Sequence, residues 1–120
     1  MIKFLDLHKI NATYKTVFLA RFKHFLSEGC YILGSEVSTF ETNFASYCHV
    51  QHCVGVANGL DALTLIFKAY IQLGKLKEGD AVVVPANTYI ASIISILNAG
   101  LKPVLVEPDP LTFNISPTAF

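Results

Sequence analysis

Charge is what this sequence has least of. Only 15% of its 120 residues are charged, nine basic against nine acidic, for a formal net charge of zero. That balance leaves no electrostatic footprint for nucleic acid or for an anionic membrane surface, and neither is expected as a partner. Cysteine is scarce as well. Three thiols, an odd number, fit a reduced cytoplasmic protein better than a disulfide framework. No run approaches the roughly 18 uninterrupted apolar residues of a spanning helix. The opening residues carry Lys3 and Asp6 inside an apolar run, unlike a secretory leader. Gly-x-Gly-x-x-Gly is missing, and no Gly-Lys-Ser/Thr occurs, so neither the dinucleotide nor the P-loop fingerprint applies.

What is present is apolar. Hydrophobic residues make up 52% of the chain, and the mean hydropathy is +0.48. A small chain this poor in charge is expected to carry surface that another part covers. Residues 48–53 (CHVQHC) alternate thiols and imidazoles, but they lack a Cys-x-x-Cys pair and come from one short run. Closed zinc sites draw on separated elements, so the tract reads as structural and no metal is expected.

The chain is organised around residues 54–69. Residues 53–57 read as a short apolar strand that breaks at Asn58-Gly59, a dipeptide that tolerates positive φ. Beyond it Leu60, Leu63, Ile66 and Phe67 take the three-and-four spacing of a buried helix face. A strand, a glycine turn and a helix leave unpaired N–H groups and a positive dipole end at the helix start, which suits a phosphate. Asn-Gly is equally a common way to join two elements, and the residues leave both readings open.

Upstream, residues 4–8 read as extended. Residues 11–27 read as a helix capped by Asn11, with Tyr14, Val17, Phe18, Phe22 and Phe25 on one stripe. Glu28-Gly29 ends it. Ser35 is expected to cap a second helix over residues 36–48, with Val37, Phe40, Phe44 and Tyr47 on one face. Downstream, residues 74–80 form a lysine-rich connection. Residues 81–85 (AVVVP) read as a buried parallel strand, and a helix follows through Ile90, Ile93, Ile94 and Leu97 to a glycine cap at Gly100. Residues 103–106 are a further strand, and Ser116-Pro117 opens another helix. The order βαβαβ predicts an α/β fold with a parallel sheet, preceded by two helices. We divide it into a helical segment, 1–50, and an α/β part, 51–120.

Ligands of such sheets collect at the carboxyl ends of the strands. Residues 58–60, 86–89 and 107–109 lie there. An anion-binding helix start beside the ring of Tyr89 predicts a ligand with a phosphate and a flat ring, although Tyr89 also fits as a packing residue.

Several segments, in order, resemble one family: residues 29–36 (GCYILGSE), Phe40-Glu41, 55–63 (GVANGLDAL), 79–92 (GDAVVVPANTYIAS) and 100–109 (GLKPVLVEPD). They are similar to the pyridoxal-phosphate-dependent sugar aminotransferases of the DegT/DnrJ/EryC1/StrS type. Residues 4–7 (FLDL) and 85–92 look most like the branch that aminates C3 of dTDP-3-keto-6-deoxyhexoses. The resemblance implies the large domain of a fold type I, aspartate-aminotransferase-like enzyme, truncated here to its N-terminal part. It implies pyridoxal 5′-phosphate as cofactor, a dTDP-keto-sugar and an amino donor, commonly glutamate, as substrates, and a homodimer. Carried over, the phosphate-binding backbone falls on Gly59 and Leu60, with Asn58 alongside. The stacking ring falls on Tyr89, and substrate contacts fall on Tyr31 and Asn87. Where Leu60 stands the family often has Ser or Thr, so that hydroxyl is absent. The family's Schiff-base lysine and the aspartate that pairs with the pyridine nitrogen have no counterpart in these 120 residues. Lys68, Lys75, Lys77 and Lys102 occupy helix or connection positions. No catalytic residue is assigned, and the piece alone is expected to be inactive. The alternatives are a sugar-nucleotide 3-dehydratase of the same family, with histidine in place of the lysine, or a non-catalytic gene remnant.

Overall fold

The computed structural model describes residues 3–116. Two compact units divide the chain, residues 1–55 and 56–120.

The N-terminal unit is helical. Asp6 accepts from the N–H of Lys9 and caps α1 (Leu7–Ala12), so the stretch expected to be extended over residues 4–8 gives way to helix from Leu7. Asn11 lies inside α1, and α2 (Lys15–Glu28) begins after Tyr14, which makes no side-chain cap. One long expected helix is thus two, because Asp6 offers an earlier cap than Asn11. Gly29 ends α2 in the left-handed region at φ 69°, as the glycine predicted. The next helix, α3 (Ser35–Tyr47), is capped by Gly34 rather than Ser35, whose hydroxyl instead donates to Glu28 Oε2 at 2.9 Å. It closes with His49 at φ 55°: the Val50 N–H donates to Ala45 O and the His49 N–H to Ser46 O. Those two bonds form a Schellman ending, so the Cys/His tract is helix termination. The helical stripes exist, but most of their rings are exposed: Phe18 and Phe22 are each 58% accessible.

In the C-terminal unit, α4 (Gly59–Gln72) leads through a turn to β1 (Ala81–Pro85), α5 (Ile90–Asn98) and β2 (Lys102–Val106). The strands pair in parallel, Ala81 against Lys102 through Pro85 against Val106. A helix must carry the chain back between parallel neighbours, and α5 does so. Val84, Ile96 and Leu101 form the core, with Phe67, Ile71 and Ile93 packed around them. Gly100 ends α5 at φ 80°, and the N–H of Leu101 returns to Ile96 O at 3.0 Å. That cap turns Leu101 into the core as β2 begins.

Two strands form among the described residues, so the order is βαβ rather than βαβαβ. Residues 53–57 are irregular. A strand is defined by a paired neighbour, and here the Gly55 N–H donates to the Glu41 carboxylate at 2.7 Å instead of to a ladder. The helix expected at Ser116-Pro117 lies outside the described residues beyond Ser116.

After β2 the chain closes a turn on Asp109. Its Oδ1 accepts from the Leu111 N–H, the Thr112 N–H and the Thr112 hydroxyl. The backbone bonds from Thr112 and Leu111 hold the carboxyl below its ordinary value. A carboxylate with a lowered folded pKa stabilises above its unfolded pKa, about 3.9, and loses that contribution as pH falls through the folded value. Asp109→Asn is therefore expected to lower the melting temperature at pH 7. The gap to wild type should shrink as pH falls below about 4; thermal melts across pH 2–7 check it, and a pH-independent gap would contradict it.

Candidate functional site

The start of α4 is built by Asn58. Its backbone is extended, at φ −163° and ψ 175°, and its Oδ1 accepts from the Asp61 N–H at 3.0 Å. Its Nδ2 donates to Asp61 Oδ2 at 3.1 Å, so residue and cap are tied reciprocally. The positive φ that Asn58-Gly59 would tolerate is not used, because an N-cap is extended and its successor is already helical. The Ala62 N–H donates to Asn58 O, and the Asp61 N–H is taken by the cap. Gly59 and Leu60 are left as the helix's uncommitted N–H donors. A Cβ placed on Gly59 would meet nothing within 4 Å. The approach to this backbone is open.

The start of α5 faces the same space. Tyr89 is its N-cap residue, 79% exposed, and no side chain caps the helix. The hydroxyls of Thr88 and Ser92 lie 3.1 Å apart, and the Ser92 N–H donates to Tyr89 O. Between the two helix starts lies a pocket of about 670 Å³, lined by Asn58, Gly59, Leu60, Ala62, Leu63, Tyr89, Ala91 and Ser92. It is larger than the depressions of about 430 and 390 Å³ in the N-terminal unit.

Four residues singled out from sequence, Asn58, Gly59, Leu60 and Tyr89, thus line one pocket. Asn87 sits exposed in the turn after β1 and does not line it. Tyr31 belongs to the N-terminal unit, where its ring packs 5.1 Å from that of Phe25 and its hydroxyl donates to Leu26 O. Asp109, expected at the same sheet end, is turned into its own loop. None of the four lysines named above lines the pocket; Lys75 lies over the ring of Tyr70. Ser92 was missed, although it stands three residues after Tyr89 and so shares its helix face.

The chemistry this space offers is specific. Two N–H donors and a positive helix end suit an anion, an exposed aromatic ring suits a flat partner, and Leu60, Leu63 and Ala91 supply apolar walls. No helix among the described residues is long and apolar enough to cross a membrane.

Comparison with known proteins gives a consistent set of relatives. The model of the DegT/DnrJ/EryC1/StrS aminotransferase family matches residues 13–120. The dTDP-3-amino-3,6-dideoxy-alpha-D-galactopyranose transaminase of Aneurinibacillus thermoaerophilus is 55% identical over 117 residues, covering 98% of this chain and 31% of that protein. The structure of DesV from S. venezuelae, in complex with a ketimine intermediate, is 41% identical with a TM-score of 0.78, over 90% of this chain and 28% of that one. The E. coli GDP-4-keto-6-deoxy-D-mannose-3-dehydratase, with bound hydrated PLP, is 25% identical with a TM-score of 0.73, over 96% and 28%. The chain therefore spans less than a third of the length of these relatives.

Proposed function

The chain belongs to the DegT/DnrJ/EryC1/StrS aminotransferase family, and from that premise we propose that it forms the N-terminal part of a cytoplasmic, homodimeric, pyridoxal-phosphate-dependent sugar aminotransferase. The substrate is a dTDP-3-keto-6-deoxyhexose, aminated at C3 with glutamate as donor, in the making of an amino sugar for surface polysaccharide. The observation that carries this reading is the pocket between the α4 and α5 starts, which combines two uncommitted N–H donors, an open approach over Gly59 and the ring of Tyr89. Those features fit a phosphorylated pyridine. When bound, the cofactor supplies the electron sink for moving the amino group.

The residues of this chain bind and orient. Gly59 and Leu60 hold the phosphate through their N–H groups, aided by the α4 dipole. Asn58 keeps those donors in place by capping the helix through Asp61. Tyr89 stacks on the ring. Tyr31 and Asn87 are assigned to the substrate side, and residues 51–120 to the cofactor domain. Exposed Phe18 and Phe22 in the N-terminal unit supply apolar surface for the second subunit. A second reading, a sugar-nucleotide 3-dehydratase, draws support from the likeness to the E. coli dehydratase.

The test is turnover by the full natural polypeptide carrying this sequence, with cofactor, glutamate and the keto-sugar nucleotide. Mass spectrometry is expected to find the 3-amino product, and a polypeptide of these 120 residues alone should make none. Loss of the C3 oxygen without gain of an amine would move the assignment to the dehydratase, and no change to the sugar would end both readings. Tyr89→Ala is expected to weaken cofactor binding by the stacking contribution, about 0.5–1.5 kcal/mol or roughly 2- to 12-fold. An unchanged titration would remove the stacking role.

A further inference from the structure

Resting on the cofactor reading above, the geometry points to Ser92 as the hydroxyl that grips the ligand's phosphate, with Thr88 behind it as hydrogen-bond partner. Leu60 brings no hydroxyl to the pocket. Asn58 has both ends of its amide engaged with Asp61. Ser92 lines the same pocket as Gly59 and Leu60, partly buried, in the first turn of α5. Its N–H is committed to Tyr89 O and its carbonyl accepts from the Ser95 hydroxyl at 2.8 Å, so its side chain is what remains to meet a ligand. The Thr88 and Ser92 hydroxyls, 3.1 Å apart, share one hydrogen bond. An anion in the pocket fixes its direction: Thr88 donates to Ser92, and the Ser92 proton turns to the phosphate. A hydroxyl that accepts one bond while donating another to an anion is a stronger donor. Ser92 is thus a side-chain hydroxyl at this pocket with a proton to give.

The experiment titrates the cofactor-free full natural polypeptide with pyridoxamine 5′-phosphate and with pyridoxamine, following fluorescence anisotropy of the ligand. Ser92→Ala is expected to weaken pyridoxamine 5′-phosphate roughly 10- to 100-fold, the scale of one hydrogen bond to a charged group. Pyridoxamine, which has no phosphate, should bind the variant and wild type alike, and Ser92→Thr, which keeps the hydroxyl, should restore the phosphorylated ligand to within about threefold. Equal weakening of both ligands would make Ser92 a structural residue and overturn the inference, as would unchanged binding of the phosphorylated one. If wild type does not discriminate between the two ligands, the phosphate site itself is absent and the cofactor reading falls first. Matching melting curves of Ser92→Ala and wild type separate a lost contact from a lost fold.

Discussion

Ile96→Ala is expected to cost the C-terminal unit about 3 kcal/mol, within the 2–5 kcal/mol typical of truncating a large buried aliphatic side chain. Ile96 is 2% exposed and packs with Val84 of β1 and Leu101 at the entry to β2. Its carbonyl also receives the Leu101 N–H that closes α5. Removing the side chain opens a cavity where helix and both strands meet, and the fragment of structure it holds is the one that positions Tyr89 and Ser92. Small domains are stable by only about 5–15 kcal/mol, so a loss of this size shifts the unfolding midpoint visibly. Urea denaturation of variant and wild type measures it. The neighbouring residue supplies the control: Leu97 is 55% exposed, and Leu97→Ala should stay within about 0.5 kcal/mol of wild type. Similar costs at the two positions would mean that the face of α5 assigned to the core is not the one that is buried.

The parts of this fold that could be read from sequence are those whose signals are local. Residues 82–84 are a run of β-branched valines ended by Pro85, and Gly100 closes α5 because only a left-handed residue lets the chain turn into β2. The segment at 53–57 has the same apolar character, yet strand formation depends on a neighbour, and no sequence pattern names one. Burial failed for a related reason. Periodicity places Phe18 and Phe22 on one stripe, but what covers a stripe is not written in the stripe.

Four residues that sequence singles out, Asn58, Gly59, Leu60 and Tyr89, meet at one pocket, while Tyr31 and Asn87 lie elsewhere. Asn-Gly tolerates positive φ without requiring it, and the Asn-x-x-Asp spacing of Asn58 and Asp61 favours a helix cap, which the structure forms. The difference has a consequence. A glycine required by positive φ cannot be replaced without strain, but Gly59 has no such requirement and no neighbour above it, so the residue at this position is free to vary as far as the fold is concerned.

Gly59→Asp is accordingly expected to separate stability from binding. At the first position of α4 an aspartate lies against the positive helix end, worth about 0.3–1 kcal/mol, and replacing glycine where no strain results adds about 0.4–1 kcal/mol through the unfolded chain. The melting temperature should hold or rise. Cofactor binding should collapse, since a carboxylate about 5 Å from a phosphate repels each unit of its charge by about 3 kcal/mol at an effective dielectric of 20. That corresponds to more than a hundredfold loss of affinity. Titration of the cofactor-free full natural polypeptide with pyridoxamine 5′-phosphate reads the loss, and Gly59→Ala, which adds bulk without charge, should lose far less. Retained affinity in Gly59→Asp would place the phosphate away from the α4 start and withdraw Gly59 and Leu60 as its donors. A lowered melting temperature with unchanged affinity would instead mean that the space above Gly59 is filled in the whole protein. Because the two readouts are expected to move in opposite directions, general damage to the fold cannot imitate the result.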